Sequence, residues 1–235
     1  MNQQIPFEVG EALRYFRAAP DDSRAVDLVD RAYGLLRPEL QPRYTARRIA
    51  CRTEGQGTMA DCVVLDGGIV FHSKALARYV GGSRELFLFG ATLGSRIDST
   101  LRRMAVRSVS EAAAGQAVAA ALIESYCNAC CRELARELPQ GQKLKGRFSP
   151  GYGDWDLAEQ RLLFRALDCA RTIGLTLTDR CMMAPVKSVT AVVAIAGAAD
   201  PLVDPEEAER LVAAAEAQHS KCQDCDKTDC EFRRT

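Results

Sequence analysis

The segment from Ser108 to Glu137 constrains the fold most, because it lacks proline and has the pattern of one long helix. Its first half contains many alanines together with Gly115, so one face of the helix is lined by small side chains. Small side chains let another backbone or a ligand approach closely, and tight packing in the core is the usual reason for such a face. We therefore predict that this helix packs inside the core.

Strands are predicted in the sequence both before and after the long helix. Cys62–Leu65 and Ile69–Phe71 flank Asp66-Gly67-Gly68, which indicates a hairpin because glycine tolerates positive φ. Ser188–Gly197 is rich in β-branched residues and apolar on both faces, as is typical of a central strand. Helices and strands alternate irregularly, and this order favours the α+β class over a doubly wound parallel sheet.

The remaining segments are predominantly helical, and one domain with a tail accounts for them. Residues 1–40 form two short amphipathic helices, and a further helix is predicted over Asp156–Ile173, where Asp156 and Glu159 have the spacing of a capping box. A last helix begins near Asp204, which is followed by proline. We predict a domain over residues 1–218 and a cysteine-rich tail over 219–235.

Composition excludes several function classes. The 235 residues include 31 lysines and arginines and 31 aspartates and glutamates, which argues against non-specific nucleic-acid binding. The most apolar stretches, residues 112–123 and 189–199, are shorter than the roughly 20 residues that cross a bilayer. The N-terminus lacks the pattern of a signal peptide. We expect a cytoplasmic protein without nucleic-acid or membrane partners.

Ten cysteines are the second unusual feature of the sequence. Without an export signal they are expected to be reduced thiols, so a close cluster suggests metal or redox chemistry. Cys222, Cys225 and Cys230 in the tail could converge on zinc or an iron–sulfur cluster, with His219 or another cysteine as the fourth ligand. The alternative is a flexible tail with incidental thiols. The cysteines elsewhere in the chain are expected to pack in the core.

The loop Arg147–Trp155 contains the densest group of residues suited to binding. A guanidinium offers a planar fork to a carboxylate or phosphate, and Pro150-Gly151 favours a turn that could present backbone amides to a ligand. The alternative is an ordinary turn before a capped helix. A dinucleotide-binding loop, which has the pattern G-x-G-x-x-G, is excluded. Asp156 stands where that pattern has its third glycine, and its carboxylate would repel pyrophosphate. With only two histidines in the chain, hydrolysis by a general base is weakly supported.

The same loop resembles the reactivation domain of cobalamin-dependent methionine synthase, which binds S-adenosylmethionine. That family has an R-x-x-x-G-Y signature, matched by Arg147, Gly151 and Tyr152. Residues 89–94, 175–179 and 185–190 resemble further blocks of short, stand-alone members, which also share a C-x2-C-x4-C end. The resemblance implies a C-shaped α+β domain with a twisted antiparallel sheet flanked by helices.

The resemblance also implies a function within a methyltransferase system. In the family, the domain presents S-adenosylmethionine to cobalamin, and one-electron reduction coupled to methyl transfer restores an oxidised, inactive cofactor. The D-x-H-x-x-G motif that supplies a cobalt ligand is absent here. The implied partners are therefore a corrin-binding methionine synthase or corrinoid protein, which supplies the cobalamin, and a flavodoxin- or ferredoxin-type electron donor.

By position, the resemblance implies roles for individual residues. Arg147 holds the methionine carboxylate, Gly151 lets the turn approach the ligand, and Tyr152 lines the methyl-donor pocket as the catalytic residue. The expected ligand-binding residues are Arg147, Phe148, Ser149, Gly151, Tyr152 and, as an acidic partner for the sulfonium or amino group, Glu124.

Two departures from the family pattern leave alternatives open. Val192 and Val193 stand where the fused enzymes have ligand-contacting aromatic residues, and the acidic residue before the arginine is missing. One alternative is a metal- or iron–sulfur-dependent redox activator of a corrinoid methyltransferase that does not use S-adenosylmethionine. Another is a docking protein that binds neither ligand.

Overall fold

The computed structural model describes residues 5–55 and 60–197. It has the α+β class predicted from the sequence, with a six-stranded sheet and flanking helices. The chain divides into two compact units. Unit 1 comprises Met1–Thr45, Gly90–Leu134 and Asp168–Val189, and unit 2 comprises Ala46–Phe89, Ala135–Leu167 and Thr190–Thr235. Within the described residues, no helix is both long and apolar enough to span a membrane.

The sheet has the strand order β3-β2-β1-β4-β8-β5. Its strands are β1 (Arg43–Glu54), β2 (Cys62–Leu65), β3 (Val70–His72), β4 (Glu85–Thr92), β5 (Lys143–Leu144) and β8 (Ser188–Ala196). The pairs β1–β2, β2–β3 and β5–β8 are antiparallel, as predicted for this sheet. A separate antiparallel hairpin in unit 1 pairs β6 (Thr176–Leu177) with β7 (Met183–Ala184).

Seven α-helices occur among the described residues. They are α1 (Val9–Phe16), α2 (Ser23–Leu36), α3 (Lys74–Val80), α4 (Ser95–Arg107), α5 (Val109–Arg136), α6 (Gln160–Leu167) and α7 (Cys169–Ile173). Short 3-10 turns lie at Arg37–Glu39 and Leu157–Glu159. The two N-terminal helices and the long central helix are confirmed close to their predicted positions.

In unit 1, the small-residue face of α5 serves packing. Ala114, Ala117, Val118 and Leu122 on this helix are almost fully buried. A Cβ atom placed on Gly115 would lie 2.8 Å from the terminal methyl of Met104 on α4. The glycine therefore lets the two helices approach closely, and tight packing is confirmed as a use of this face.

In unit 2, the predicted hairpin and central strand are both confirmed. The amide of Leu65 donates to the carbonyl of Ile69, and both glycines of the intervening turn have φ of +84°. Strand β8 has sheet neighbours on both sides, and most of its residues are buried. Ser73 is the N-cap of helix α3, and its hydroxyl accepts a hydrogen bond from the amide of Leu76.

Two local expectations were wrong. The single helix expected over residues 156–173 is divided at Asp168, which adopts a left-handed conformation with φ of +48° between α6 and α7. Lys143 and Leu144, where no strand is predicted from the sequence, form the short strand β5. That strand forms only because β8 offers it a partner, a long-range pairing that local residue preferences do not encode.

The close approach of α4 and α5 gives a test of the packing at Gly115. We expect Gly115→Leu to lower the free energy of unfolding by about 1–3 kcal/mol, because the side chain must displace Met104 and Leu101. The matched control is Gly34→Leu on α2, where nothing lies within 4 Å of an added Cβ. Urea unfolding measures both variants, and equal stabilities would contradict the packing role of Gly115.

Candidate ligand-binding site

The loop Arg147–Trp155 lies in unit 2 and is joined to strand β8 at its start. The amide of Phe148 donates to the carbonyl of Val192 at 2.9 Å, and the amide of Val192 donates to the carbonyl of Phe148 at 2.8 Å. This isolated antiparallel bridge places Arg147 immediately before a fixed backbone position. The bridge therefore engages both the amide and the carbonyl of Phe148.

The loop then makes the turn that the Pro150-Gly151 pair predicts. The amide of Tyr152 donates to the carbonyl of Ser149 at 3.1 Å, and Gly151 has φ of +92°. A positive φ at the third residue identifies a type II turn, in which glycine is strongly favoured. The amide of Gly151 donates to the carbonyl of Trp155 at 2.8 Å. The amides of Gly151 and Tyr152 therefore stabilise the turn, contrary to the expectation that they would be left for a ligand.

A carboxylate fastens the far end of the loop to helix α3. Asp154 accepts hydrogen bonds from the Ser73 hydroxyl and from the amides of Lys74, at 2.9 Å, and Ala75, at 3.0 Å. These groups form the first turn of α3, where unpaired amides favour a negative charge. The contact is close: a Cβ on Gly153 would lie 2.7 Å from the Cβ of Ala75. Glycine is thus required at position 153 for this approach.

The hydrogen bonds of Asp154 are reflected in its pKa. Burial by itself would raise the pKa of this carboxyl group, but the hydrogen bonds from Ser73, Ala75 and Lys74 outweigh burial and lower it. The folded protein therefore favours the ionised form of Asp154. The electrostatic attachment of the loop is present at neutral pH.

Trp155 anchors the loop in the core of unit 2. Its ring is 1% exposed and packs edge-on against Phe71 of β3, with ring centroids 5.1 Å apart. The indole N–H donates to Oε2 of Glu159 at 2.8 Å. Glu159 also accepts a hydrogen bond from the backbone amide of His72. The predicted capping box is therefore only half present: Asp156 accepts from the amide of Ala158, whereas Glu159 joins β3 to the loop.

Aromatic rings line the loop on one side. Phe148 stacks on Tyr79 of α3 at 5.0 Å and on Trp155 at 6.1 Å, and Tyr152 meets Phe148 edge-on at 5.8 Å. Tyr152 is 38% exposed, so part of its ring faces solvent. The aromatic rings therefore form a cluster that packs on the buried ring of Trp155 and leaves part of Tyr152 exposed to solvent.

Five of the six predicted ligand-binding residues lie on the loop in unit 2. Arg147, half-buried, lies in unit 2 with the other four residues of the loop. Glu124 lies on α5 in unit 1, where its charge adds to burial in raising the pKa of Tyr15 to about 12. The ligand roles of all six residues stay predictions.

The predicted tail ligands Cys222, Cys225 and Cys230 lie outside the described residues. Within residues 5–55 and 60–197, no group of three or more histidines, cysteines or acidic residues is arranged to hold a metal ion. Cys51, Cys127, Cys130 and Cys169 are buried, as expected for cysteines that pack in the core. The same expectation was wrong for Cys62, Cys131 and Cys181, which are only partly buried. Burial raises the pKa of the Cys51 thiol to about 11, so this thiol is protonated at neutral pH.

Sequence reasoning missed the residues that hold the loop in place. Asp154, Glu159 and Tyr79 form hydrogen bonds with partners that are 67–115 positions away in the chain. The only local signal was Ser73, a favourable N-cap residue that marks the start of α3. That Asp154 would bond this helix terminus could not be read from spacing alone.

The arrangement suits a ligand that has an anionic group beside an apolar or cationic one. The guanidinium of Arg147 can bind a carboxylate in a bidentate manner. The exposed face of Tyr152 can accept an apolar group or a cation through its ring. Both residues belong to a loop whose backbone is fixed by Val192 at one end and by α3 at the other.

Comparison with known proteins confirms the resemblance found in the sequence. Residues 128–200 match the family described as vitamin B12 dependent methionine synthase, activation domain, and this range includes the whole candidate loop. A crystal structure of the MetH reactivation domain bound to AdoHcy matches with a TM-score of 0.57 and 16% sequence identity. The match covers 81% of this chain and 70% of the other, and it confirms the fold. A search of curated proteins finds no match.

The attachment of the loop to α3 predicts a pH-dependent stability. At about pH 7, Asp154→Asn should lower the free energy of unfolding by about 1 kcal/mol, a value reduced for the exposure of this carboxylate. Because the folded pKa lies below the unfolded one, the stabilisation is lost as pH falls through the folded pKa. The difference from the native chain should therefore vanish in acid. The control is Asp66→Asn in the β2–β3 turn, where the carboxylate accepts from the adjacent amide of Gly67 and from no other group among the described residues.

Urea titrations of both variants at several pH values measure this difference. A gap between native chain and Asp154→Asn that stays constant from neutral to acid pH would contradict the role of the ionised carboxylate.

Proposed function

We propose that this chain binds S-adenosylmethionine at the Arg147–Trp155 loop and serves as the reactivation subunit of a cobalamin-dependent methionine synthase, whose cobalamin is held by a partner protein. The observation that supports this most directly is the geometry of the loop. Strand pairing at Phe148 and the carboxylate of Asp154 fix the loop at both ends, within the segment that matches the activation-domain family.

Arg147 is the proposed site for the carboxylate of the methionine moiety. A guanidinium and a carboxylate form two parallel charge-assisted hydrogen bonds, which fix orientation as well as adding affinity. The backbone beside Arg147 is held by the Phe148–Val192 bridge, so the side chain starts from a fixed position. A preorganised contact of this kind costs less entropy on binding than one made from a mobile loop.

Tyr152 is the proposed neighbour of the sulfonium and its methyl group. The sulfonium is a cation, and the face of an aromatic ring attracts cations. The ring of Tyr152 is supported edge-on by Phe148, which in turn rests on the buried Trp155. Because it is partly exposed, Tyr152 can contact both the ligand and a docked partner.

The proposed chemistry needs components that other molecules supply. Bound S-adenosylmethionine supplies a methyl group for reductive methylation of cob(II)alamin on the partner, with one electron from a flavodoxin- or ferredoxin-type donor and S-adenosylhomocysteine as the product. The chain itself binds the methyl donor through Arg147 and orients it against Tyr152. The activity belongs to a methyltransferase complex, and this chain is one subunit of it.

The cysteines of the tail are a separate part of the proposal. Cys222, Cys225 and Cys230 are proposed to bind zinc or an iron–sulfur cluster, as their spacing in the sequence indicates. Metal analysis of anaerobically purified protein distinguishes the two. Iron with visible absorbance from sulfur-to-iron charge transfer, in a protein that does not bind S-adenosylmethionine, would instead favour a redox activator.

The carboxylate contact is tested by calorimetric titration of S-adenosylmethionine. We expect binding near one equivalent, and Arg147→Ala should weaken it about 10- to 100-fold, because the ligand carboxylate would lose a charged hydrogen-bond partner. The matched control is Arg165→Ala, which removes an exposed arginine from α6 in the same unit.

Two outcomes would contradict the proposal. Equal affinities of the native chain and Arg147→Ala would remove Arg147 from the site. An absence of binding to the native chain, at millimolar ligand, would refute S-adenosylmethionine as the ligand of the isolated chain.

Substitutions at Tyr152 distinguish the contribution of its aromatic ring to ligand binding from the contribution of its hydroxyl. Tyr152→Ala should weaken S-adenosylmethionine binding about 3- to 30-fold, since it removes the cation–π contact, whereas Tyr152→Phe should bind almost as well as the native chain. The same titration measures both variants. Equal loss in the two variants would show that the hydroxyl, rather than the aromatic face, contacts the ligand.

A further inference from the structure

The strand that leads into the candidate loop contains a β-bulge opposite β8. Lys143 and Leu144 pair with Ala196 and Ile195, whereas Phe148 pairs with Val192. The chain thus advances four residues from Leu144 to Phe148 while β8 advances only three, from Ile195 to Val192. One extra residue is accommodated between the two pairings: because Lys145 still bonds Ala194, Gly146 and Arg147 together stand opposite Val193.

The hydroxyl of Tyr79 occupies the gap that the bulge creates in the ladder. The amide of Lys145 still donates to the carbonyl of Ala194, at 2.9 Å. The amide of Ala194, however, donates to Oη of Tyr79 at 2.9 Å, and that hydroxyl donates to the carbonyl of Gly146 at 2.6 Å. A single side chain therefore replaces the direct strand-to-strand hydrogen bond and satisfies both backbone groups.

Helix α3 holds Tyr79 at this position. The ring stacks on Phe148 with centroids 5.0 Å apart and an angle of 27° between the planes. At the C-terminal end of α3, Nζ of Lys145 donates to the carbonyls of Tyr79, at 3.1 Å, and Val80, at 3.3 Å. Tyr79 thus contacts the residues on both sides of Arg147.

The bulge decides on which face of the sheet Arg147 lies. Alternate residues of an extended strand face opposite sides, so a shift of one residue exchanges the faces of all that follow. Without the extra residue, Leu144 and Phe148 would share a face. With it, Phe148 turns its ring to Tyr79 and Trp155, and the direction of Arg147 depends on the bulge in which it lies.

We propose that Tyr79 is a positioning residue for the candidate ligand site: its hydroxyl stabilises the bulge and thereby fixes the direction of Arg147. The inference depends on the proposed function only for the identity of the ligand. Removing the hydroxyl in Tyr79→Phe keeps the stacked ring but leaves the Ala194 amide and the Gly146 carbonyl without their partner. With these two backbone groups unpaired, the bulge loses the side chain that stabilises it, and Arg147 is no longer held in one direction.

The first test needs no ligand. In the native chain, the Ala194 amide should exchange slowly with solvent, and Tyr79→Phe should accelerate that exchange at least tenfold relative to the Val192 amide, which bonds Phe148. The NMR cross-peak of the Arg147 Nε–H should move in the same variant. Unchanged exchange at Ala194, or an unmoved Arg147 cross-peak, would overturn the proposal whether or not the chain binds S-adenosylmethionine.

The second test is a double-mutant cycle with S-adenosylmethionine as the probe. Tyr79→Phe should weaken binding about tenfold, and adding it to Arg147→Ala should weaken binding no further, because Tyr79 acts through Arg147. A merely structural role would give no coupling between the two residues. The control is Tyr44→Phe, which removes a tyrosine hydroxyl that donates to Glu133 in unit 1 and should leave affinity unchanged.

The outcomes separate the two proposals. Additive losses in the cycle, or native affinity in Tyr79→Phe, would overturn the positioning role while leaving S-adenosylmethionine as the ligand. An absence of binding to the native chain would refute the proposed ligand, and the exchange and Arg147 spectra would still decide whether Tyr79 fixes the direction of Arg147.

Discussion

The carboxylate of Asp154 at the first turn of α3 is the contact on which the candidate site depends. It accepts from the amides of Lys74 and Ala75, which a helix N-terminus leaves without intrahelical partners, and from the hydroxyl of Ser73. These bonds hold the end of the loop against a rigid element. The close approach at Gly153 and the burial of Trp155 follow from that attachment, because both require the loop to lie directly on α3 and β3.

The residues that hold the loop in place differ from the residues that are proposed to bind the ligand. Asp154, Trp155 and Glu159 are engaged with α3 and β3. Arg147 is half-buried and Tyr152 is partly exposed, and both lie on the same loop as these supporting residues. Such a division suits a site that must hold a small ligand in one orientation while remaining open to a large partner. A site on a rigid frame needs less reordering when the ligand arrives.

Much of the fold could be predicted from the sequence, because its signals are local. The glycines of the β2–β3 turn, the apolar residues of β8 and the proline-free stretch of α5 each specify an element through backbone preference or burial pattern. Predictions failed where the outcome depended on distant residues. Strand β5 exists because β8 offers it an edge, and Asp168 interrupts a helical pattern with a left-handed residue.

In the candidate site too, some features follow from the local sequence and others from contacts between distant residues. The R-x-x-x-G-Y spacing and the Pro150-Gly151 pair by themselves determined where the loop is and which turn it makes, because turn type follows from the φ values that proline and glycine allow. Only the tertiary structure decided how the loop is held at its two ends. Asp154 meets α3 and Tyr79 meets the bulge across long stretches of chain, and such contacts arise from the packing of whole elements rather than from the preferences of neighbouring residues.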